Sequence, residues 1–289
     1  MINRLCVVGV GLIGGSFAIG LKEAGLVKRV VGVDRDAANL DLALFTGLID
    51  EAAPSLEEGV KDADCVFIAV PVGVMPEIFR QLTPLWQNDV LYTDAGSTKA
   101  DVLKALHHAL GHIPPNFVAG HPIAGAETSG ASAARCGLFE GRRVILTPVE
   151  ATSEASLGLT RALWEGIGAR VSAMAPVHHD EILAATSHLP HVLSFALTAM
   201  LGRHDEQQEI FAYAAGGLRD FTRIAGSDPA MWRDIALANR DQLLPLMEEY
   251  RTAIEEVATL IRTGDSIRLA QLFADARMAR QRFIDQLDK

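Results

Sequence analysis

Cysteine is scarce. Cys6, Cys65 and Cys136 are the only three in 289 residues, an odd number without the Cys-x-x-Cys spacing of a zinc site, so a reduced, cytoplasmic protein is the expectation. Basic residues are also short, 26 against 36 acidic ones, for a net charge of −10. That deficit excludes general nucleic-acid binding, which needs a cationic face to displace counterions. It also means that any anionic ligand must be held by a few local positive groups. Charge is absent between residues 5 and 21, after Arg4, as in a signal peptide or membrane anchor. The glycines at 9, 11, 14, 15 and 20 and the β-rich start Leu5-Cys6-Val7-Val8 speak instead for a buried strand and a turn. A second apolar run, 182–201, contains His188, Pro190 and His191, which are costly in lipid. No membrane span is expected from either. Hydrophobic residues are plentiful, at 49%, which excludes disorder, and the length suits two domains.

Short β-branched runs at 5–8, 30–33, 65–70, 90–93, 117–119, 144–146 and 170–173 alternate with helical patterns at 13–24, 38–46, 74–82, 99–110 and 154–166. Such alternation predicts a parallel sheet with helices on both faces. After Pro176 no strand pattern remains. Leu243, Met247, Tyr250, Ile254, Val257 and Ile261 instead form an apolar seam on one long helix, suited to packing within the chain or between two copies. Gly264 is positioned to end that helix, and Asp265 or Ser266 to start the next.

The segment Gly9-Val10-Gly11-Leu12-Ile13-Gly14 fits Gly-x-Gly-x-x-Gly between a strand and a helix. Gly9 permits a tight turn, Gly11 lets a pyrophosphate approach the backbone, and Gly14 lets helix and strand pack closely. The helix start at Leu12 and Ile13 offers N–H groups and a positive dipole end to phosphates. Asp34 ends the second predicted strand 20 residues beyond Gly14, where a carboxylate accepts from an adenosine ribose. NAD is favoured because Asp34 repels a 2′-phosphate, while Arg35 keeps NADP open.

Four further motifs follow: Asp94-Ala95-Gly96-Ser97-Thr98-Lys99, His121-Pro122-Ile123-Ala124-Gly125-Ala126-Glu127, Ser187-His188-Leu189-Pro190-His191, and Asp220-Phe221-Thr222-Arg223-Ile224-Ala225 leading to Asp228-Pro229-Ala230-Met231-Trp232. With the fingerprint, in this order over nearly the whole chain, they resemble the prephenate dehydrogenase family, which includes arogenate and cyclohexadienyl dehydrogenases. The resemblance implies an N-terminal Rossmann-type, doubly wound, mainly parallel sheet (residues 1–173), which binds NAD. An all-α domain (174–289) follows, binding substrate and forming a homodimer. It implies oxidative decarboxylation of prephenate or arogenate on the route to tyrosine. His121 matches the catalytic histidine and Ser97 a serine near the nicotinamide and the substrate hydroxyl. Arg223 and His191 match substrate-binding positions and Glu127 an active-site acid. Gly216 and Trp232 fall where the neighbouring subunit lines the site. Ala126 departs from the threonine many members carry, and no length remains after the last helix for the regulatory module some relatives have.

The residues also carry plainer readings. His121 could be a satisfied loop histidine, but it falls beyond the carboxyl end of a predicted strand, where ligands sit in open α/β sheets. His188 and His191 share a helix face, yet Pro190 and the lack of a third ligand argue against zinc, and no metal is expected. His107-His108 and His178-His179 read as solvated surface. Arg223 could pair structurally with Asp220, and Trp232 could be core. Two rival functions remain. A β-hydroxyacid-type dehydrogenase would carry a Lys-x-x-x-Asn helix, and the residues before Asn239 and Arg240 supply no such lysine. A non-catalytic NAD(H) sensor would need the fingerprint but not His121, Ser97 and Arg223 together.

Overall fold

The computed structural model describes residues 1–125, 128–205 and 209–287. By its internal contacts the chain forms two compact units, Met1–Arg240 and Asp241–Lys289.

The first unit opens with strands β1 (Ile2–Val8), β2 (Val27–Val33), β3 (Glu51–Ala52), β4 (Cys65–Ile68), β5 (Leu91–Asp94) and β6 (Phe117–Val118). All pair in parallel, in the order β3-β2-β1-β4-β5-β6. Parallel strands need helical crossovers, supplied by α1 (Leu12–Glu23), α2 (Ala37–Phe45), α3 (Leu56–Val60), α4 (Met75–Leu82) and α5 (Ala100–Leu110). Because helices cover both faces, the central strands are apolar throughout: Cys65, Val66, Phe67 and Ile68 are all fully buried. One face packs Phe17 and Phe67 against Trp164, and the other packs Phe79 on Phe117. The strand order reverses between β1 and β4, which opens a crevice at their carboxyl ends.

The remaining strands form a second sheet rather than extending the first. In it β7 (Gly120–Pro122) runs antiparallel to β8 (Arg143–Leu146), which runs parallel to β9 (Arg170–Ala173). Helix α6 (Glu154–Gly166), capped by Ser153, connects β8 to β9. Strand β7 carries His121 and had no signal in the sequence, being three residues long and ending in proline. Pro122 is tolerated because β7 is an edge strand. The predicted strand at 65–70 stops at Ile68, and β3 and α3 are additions.

After Pro176 the unit is helical: α7 (Pro176–Leu183), a π turn (Ala184–His188), α8 (Leu189–His204), α9 (Glu209–Ala212), α10 (Gly216–Thr222), a 3-10 turn (Arg223–Gly226) and α11 (Pro229–Ala238). The π turn precedes Pro190, whose ring clashes with the carbonyl four residues back and removes one helical hydrogen bond. By length and composition alone, Pro176–His204 could cross a membrane, but its His179, Asp180 and His188 are buried within the chain. Asp228 caps α11 by accepting from Met231 N at 2.8 Å, with Pro229 in the first turn.

The second unit is made of α12 (Arg240–Thr263), from its second residue onward, and α13 (Ser266–Leu287). Gly264 lies between them at φ +69°, and Asp265 accepts from Arg268 N at 3.1 Å. Of the predicted apolar seam on α12, Leu243 is buried, but Met247, Tyr250, Ile254 and Ile261 are exposed.

Candidate active site

The glycine-rich turn between β1 and α1 has a separate steric reason for each glycine. Gly9 sits at φ +92°, and a Cβ there would lie 2.6 Å from Ala69 O. A Cβ on Gly14 would lie 2.0 Å from Gly9 O, so α1 can approach β1 only without one. A Cβ on Gly11 would meet nothing within 4 Å: the space over the loop is open, as a cradle for a pyrophosphate requires. The first turn of α1, Leu12 and Ile13 included, has no side-chain cap, so its N–H groups remain for a phosphate. Asp34 accepts from Val10 N (2.9 Å), Asp36 N (3.1 Å) and Asn39 Nδ2 (3.2 Å). A carboxylate offers about four lone-pair sites, so one remains for a ribose hydroxyl. Arg35 is exposed next to it. Asn39 also joins Val10 O to Ala131 N, and Arg135 N donates to Ser16 Oγ. Segment 131–135 is thereby pinned to α1 and α2.

At the carboxyl end of β5, Asp94 is fully buried and holds three elements together. It accepts from Gly96 N at 2.7 Å, from Gly120 N at 3.1 Å and from the Lys99 ammonium. Lys99 is fully buried too and also donates to Gly120 O at 2.7 Å. The loop bearing Ser97, itself half-buried, is thus tied to the strand bearing His121 through one ion pair.

The half-buried His121 meets His179 across α7, Nδ1 to Nε2, at 2.9 Å. His179 Nδ1 lies 2.8 Å from Asp180 Oδ1. Asp180 also accepts from Lys99 N (2.8 Å) and Ala100 N (2.9 Å) at the start of α5. Burial, followed by the neighbouring His179, Lys99 and His188, holds the His121 imidazole well below its ordinary range, so it is a neutral base at neutral pH. Burial lowers His179 as well, against the opposing pull of Asp180. The sequence reading of His179 as solvated surface is therefore wrong: its side chain is fully buried. The isolated pair His178-His179 carried no sign of this, because the burial depends on α7 docking against α5.

A second cluster adjoins the first. Asn239 Nδ2 donates to Asp180 O (2.8 Å) and His188 Nδ1 (3.0 Å). Burial pushes His188 down to about 4. Trp232 stacks on His191 at 3.6 Å and meets His188 edge-on. His191 donates Nδ1–H to Ser187 O at 2.8 Å, and its basicity is lowered by burial and by the nearby Arg223. Trp232 is nine-tenths buried, and its Nε1–H has no partner among the described residues. Its ring thus packs against His191 and His188 of its own chain. Arg223 is exposed at the 3-10 turn, and Gly216 is exposed at the start of α10, with no heavy atom within 4 Å of an added Cβ. Glu127 lies outside the described residues. The residues that the sequence reading assigned no role are Asp94, Lys99, His179, Asp180 and Asn239. Asp94 and Lys99 stood in a motif already singled out, whereas nothing local marked the other three.

Residues 17–173 match the family model of the prephenate dehydrogenase nucleotide-binding domain, and residues 175–275 match that of its dimerization domain. Cyclohexadienyl dehydrogenase of Zymomonas mobilis is 34% identical over 281 residues, 96% of this chain and 95% of that protein. Prephenate dehydrogenase of Bacillus subtilis is 36% identical over 281 residues, 96% of this chain and 75% of that protein. The crystal structure of Aquifex aeolicus prephenate dehydrogenase with hydroxyphenyl propionate and NAD+ superposes with a TM-score of 0.90 at 35% identity, covering 98% of this chain and 99% of that one. With its nucleotide cradle at the strand reversal and a neutral, half-buried histidine beyond the sheet, this chain belongs to the prephenate dehydrogenase family.

Proposed function

We propose that this chain catalyses the oxidative decarboxylation of prephenate, or of its amino counterpart arogenate, with NAD, in tyrosine biosynthesis. The observation that carries the chemistry is the neutral His121, held at the carboxyl end of the sheet and tied through Asp94 to the loop of Ser97.

Prephenate carries a C4 hydroxyl, a C1 carboxylate and a pyruvyl tail. NAD, held by Gly9, Gly11, Gly14, the N–H groups at Leu12 and Ile13, and Asp34 with Arg35 beside it, supplies the acceptor for the C4 hydride. As that hydride leaves, positive charge grows on the C4 oxygen, and the His121 imidazole accepts the hydroxyl hydrogen bond with increasing strength. Ser97 shares the hydroxyl and fixes its direction. Breaking the C1–carboxylate bond releases carbon dioxide and returns its electron pair to the ring, which becomes aromatic. Arg223 grips the pyruvyl carboxylate bidentately, and His191 is a second contact. Leaving the ring carboxylate unpaired avoids stabilising the charge that must flow into the ring. Gly216 and Trp232 line the pocket, and Glu127 orients a cation or gates access.

The division at 173/174 is retained as one of roles, nucleotide before it, substrate and dimer contact after it. The dimerization-domain match at 175–275 and the exposed apolar residues of α12 support a homodimer through the helical part. A cytoplasmic location without nucleic-acid or membrane partners is part of the same reading. The test follows NADH absorbance with prephenate and with arogenate, each with NAD and with NADP. Turnover with NAD and at least one substrate is expected; no turnover in any combination overturns the assignment.

A further inference from the structure

His179 touches neither the nucleotide cradle nor the groups assigned to substrate carboxylates, yet its ring is completely buried between His121 and Asp180. The hydrogen positions in this row follow from elimination. Asp180 is surrounded by donors, the N–H groups of Lys99 and Ala100 and the His179 ring. An ionised carboxylate can only accept, so Nδ1 of neutral His179 carries its hydrogen towards Asp180. Its Nε2 is then a lone pair, and what faces that lone pair at 2.9 Å is His121 Nδ1, which must donate. The remaining nitrogen of His121, Nε2, is left bare.

We propose that His179 is a positioning residue that locks His121 in the Nδ1–H tautomer, presenting Nε2 as the base towards the substrate hydroxyl, with Asp180 on the α5 N-terminus setting the direction of the row. The inference rests on the reading of His121 as the base. The remaining charged and titratable groups around the row are consistent with it. Lys99 and Asp94 neutralise each other beneath it. His188, held neutral at neutral pH by burial, is joined to the backbone of Asp180 through Asn239. The Asp180 carboxylate sits where the positive end of the α5 dipole favours its charge.

Two measurements test this. His179→Phe removes the acceptor while filling the space, and kcat is expected to fall about a hundredfold with KM within about threefold. His179→Gln, whose amide oxygen reaches the Nε2 position, is expected to recover at least about tenfold of that loss. Equal losses in the two variants, or a Phe variant within about threefold of the parent, would overturn the proposal. Independently of activity and of any variant's folding, two-bond proton–nitrogen correlation spectra of the unsubstituted chain should show His121 protonated at Nδ1 and bare at Nε2. A proton on Nε2 would overturn the lock even if turnover is normal, whereas a correct tautomer in a chain that turns over neither substrate would overturn only the activity reading.

Discussion

His191 donates Nδ1–H to Ser187 O, so a neutral ring offers its other nitrogen as a lone pair, which repels a carboxylate. It can hold a substrate carboxylate only as an imidazolium, yet burial and Arg223 disfavour that form in the free protein. Binding of the substrate at pH 7 should therefore take up a proton. Calorimetry in buffers of different ionisation enthalpy measures that uptake, and its loss in His191→Gln would assign it; no uptake would remove His191 from the carboxylate site. His121 behaves in the opposite sense, since its reaction needs the neutral ring. His121→Asn retains an amide where Nδ1 stood and lacks any group at Nε2, so kcat should fall by about 10²–10⁴ with KM little changed. Because the imidazole lies well below its ordinary range, the acid limb of kcat/KM for the parent chain should fall well below pH 6.5, and a limb at or above 6.5 would show that the ring is not desolvated in solution.

Between elements, one joint is the fully buried Asp94–Lys99 pair, through which β5, β7 and the start of α5 meet. Removing one partner leaves the other charge buried and alone, so Lys99→Met should lower unfolding stability by about 3–5 kcal/mol, measured by denaturant titration. Lys99→Met with Asp94→Asn should recover part of it, because the lone carboxylate charge is gone. Such joints mark where the sequence stops being legible. The alternation of strands and helices, the caps at Ser153 and Asp228, and the turn from Gly9 to Gly14 are set by residues a few positions apart, and α6 and β9 fall where the pattern predicts. Strand β7 was hidden because Gly120 and Pro122 both disfavour a strand reading and its partner lies beyond residue 140. His179 was misread for a related reason: its partner is 58 residues away, and burial of a polar ring becomes favourable only once that partner is in place.

Across the whole molecule, the buried His179 and His188 and the half-buried His121 make folding sensitive to acid. Burial lowers His121, His179 and His188 below the ordinary 6.5, so below that pH the unfolded chain binds more protons than the folded one. Their contribution is fully favourable above pH 6.5 and is lost as pH falls towards the depressed values, by at most about 1.4 kcal/mol per unit for each ring. Urea midpoints should thus drop steadily from pH 6.5 to about 4, the value of His188, and a flat profile would contradict the burial of these rings. The thiols divide in a similar way. Burial raises Cys6 to about 12 and raises Cys65 as well, whereas Cys136 is exposed. Cys136 follows the segment that Asn39 and Ser16 pin to the helices beside the nucleotide loop. The chain therefore carries its own single-site handle: a maleimide dye should attach at Cys136 alone under native conditions, next to a segment braced against the dinucleotide site, so that arrival of NAD can be followed as a change in fluorescence without engineering any residue.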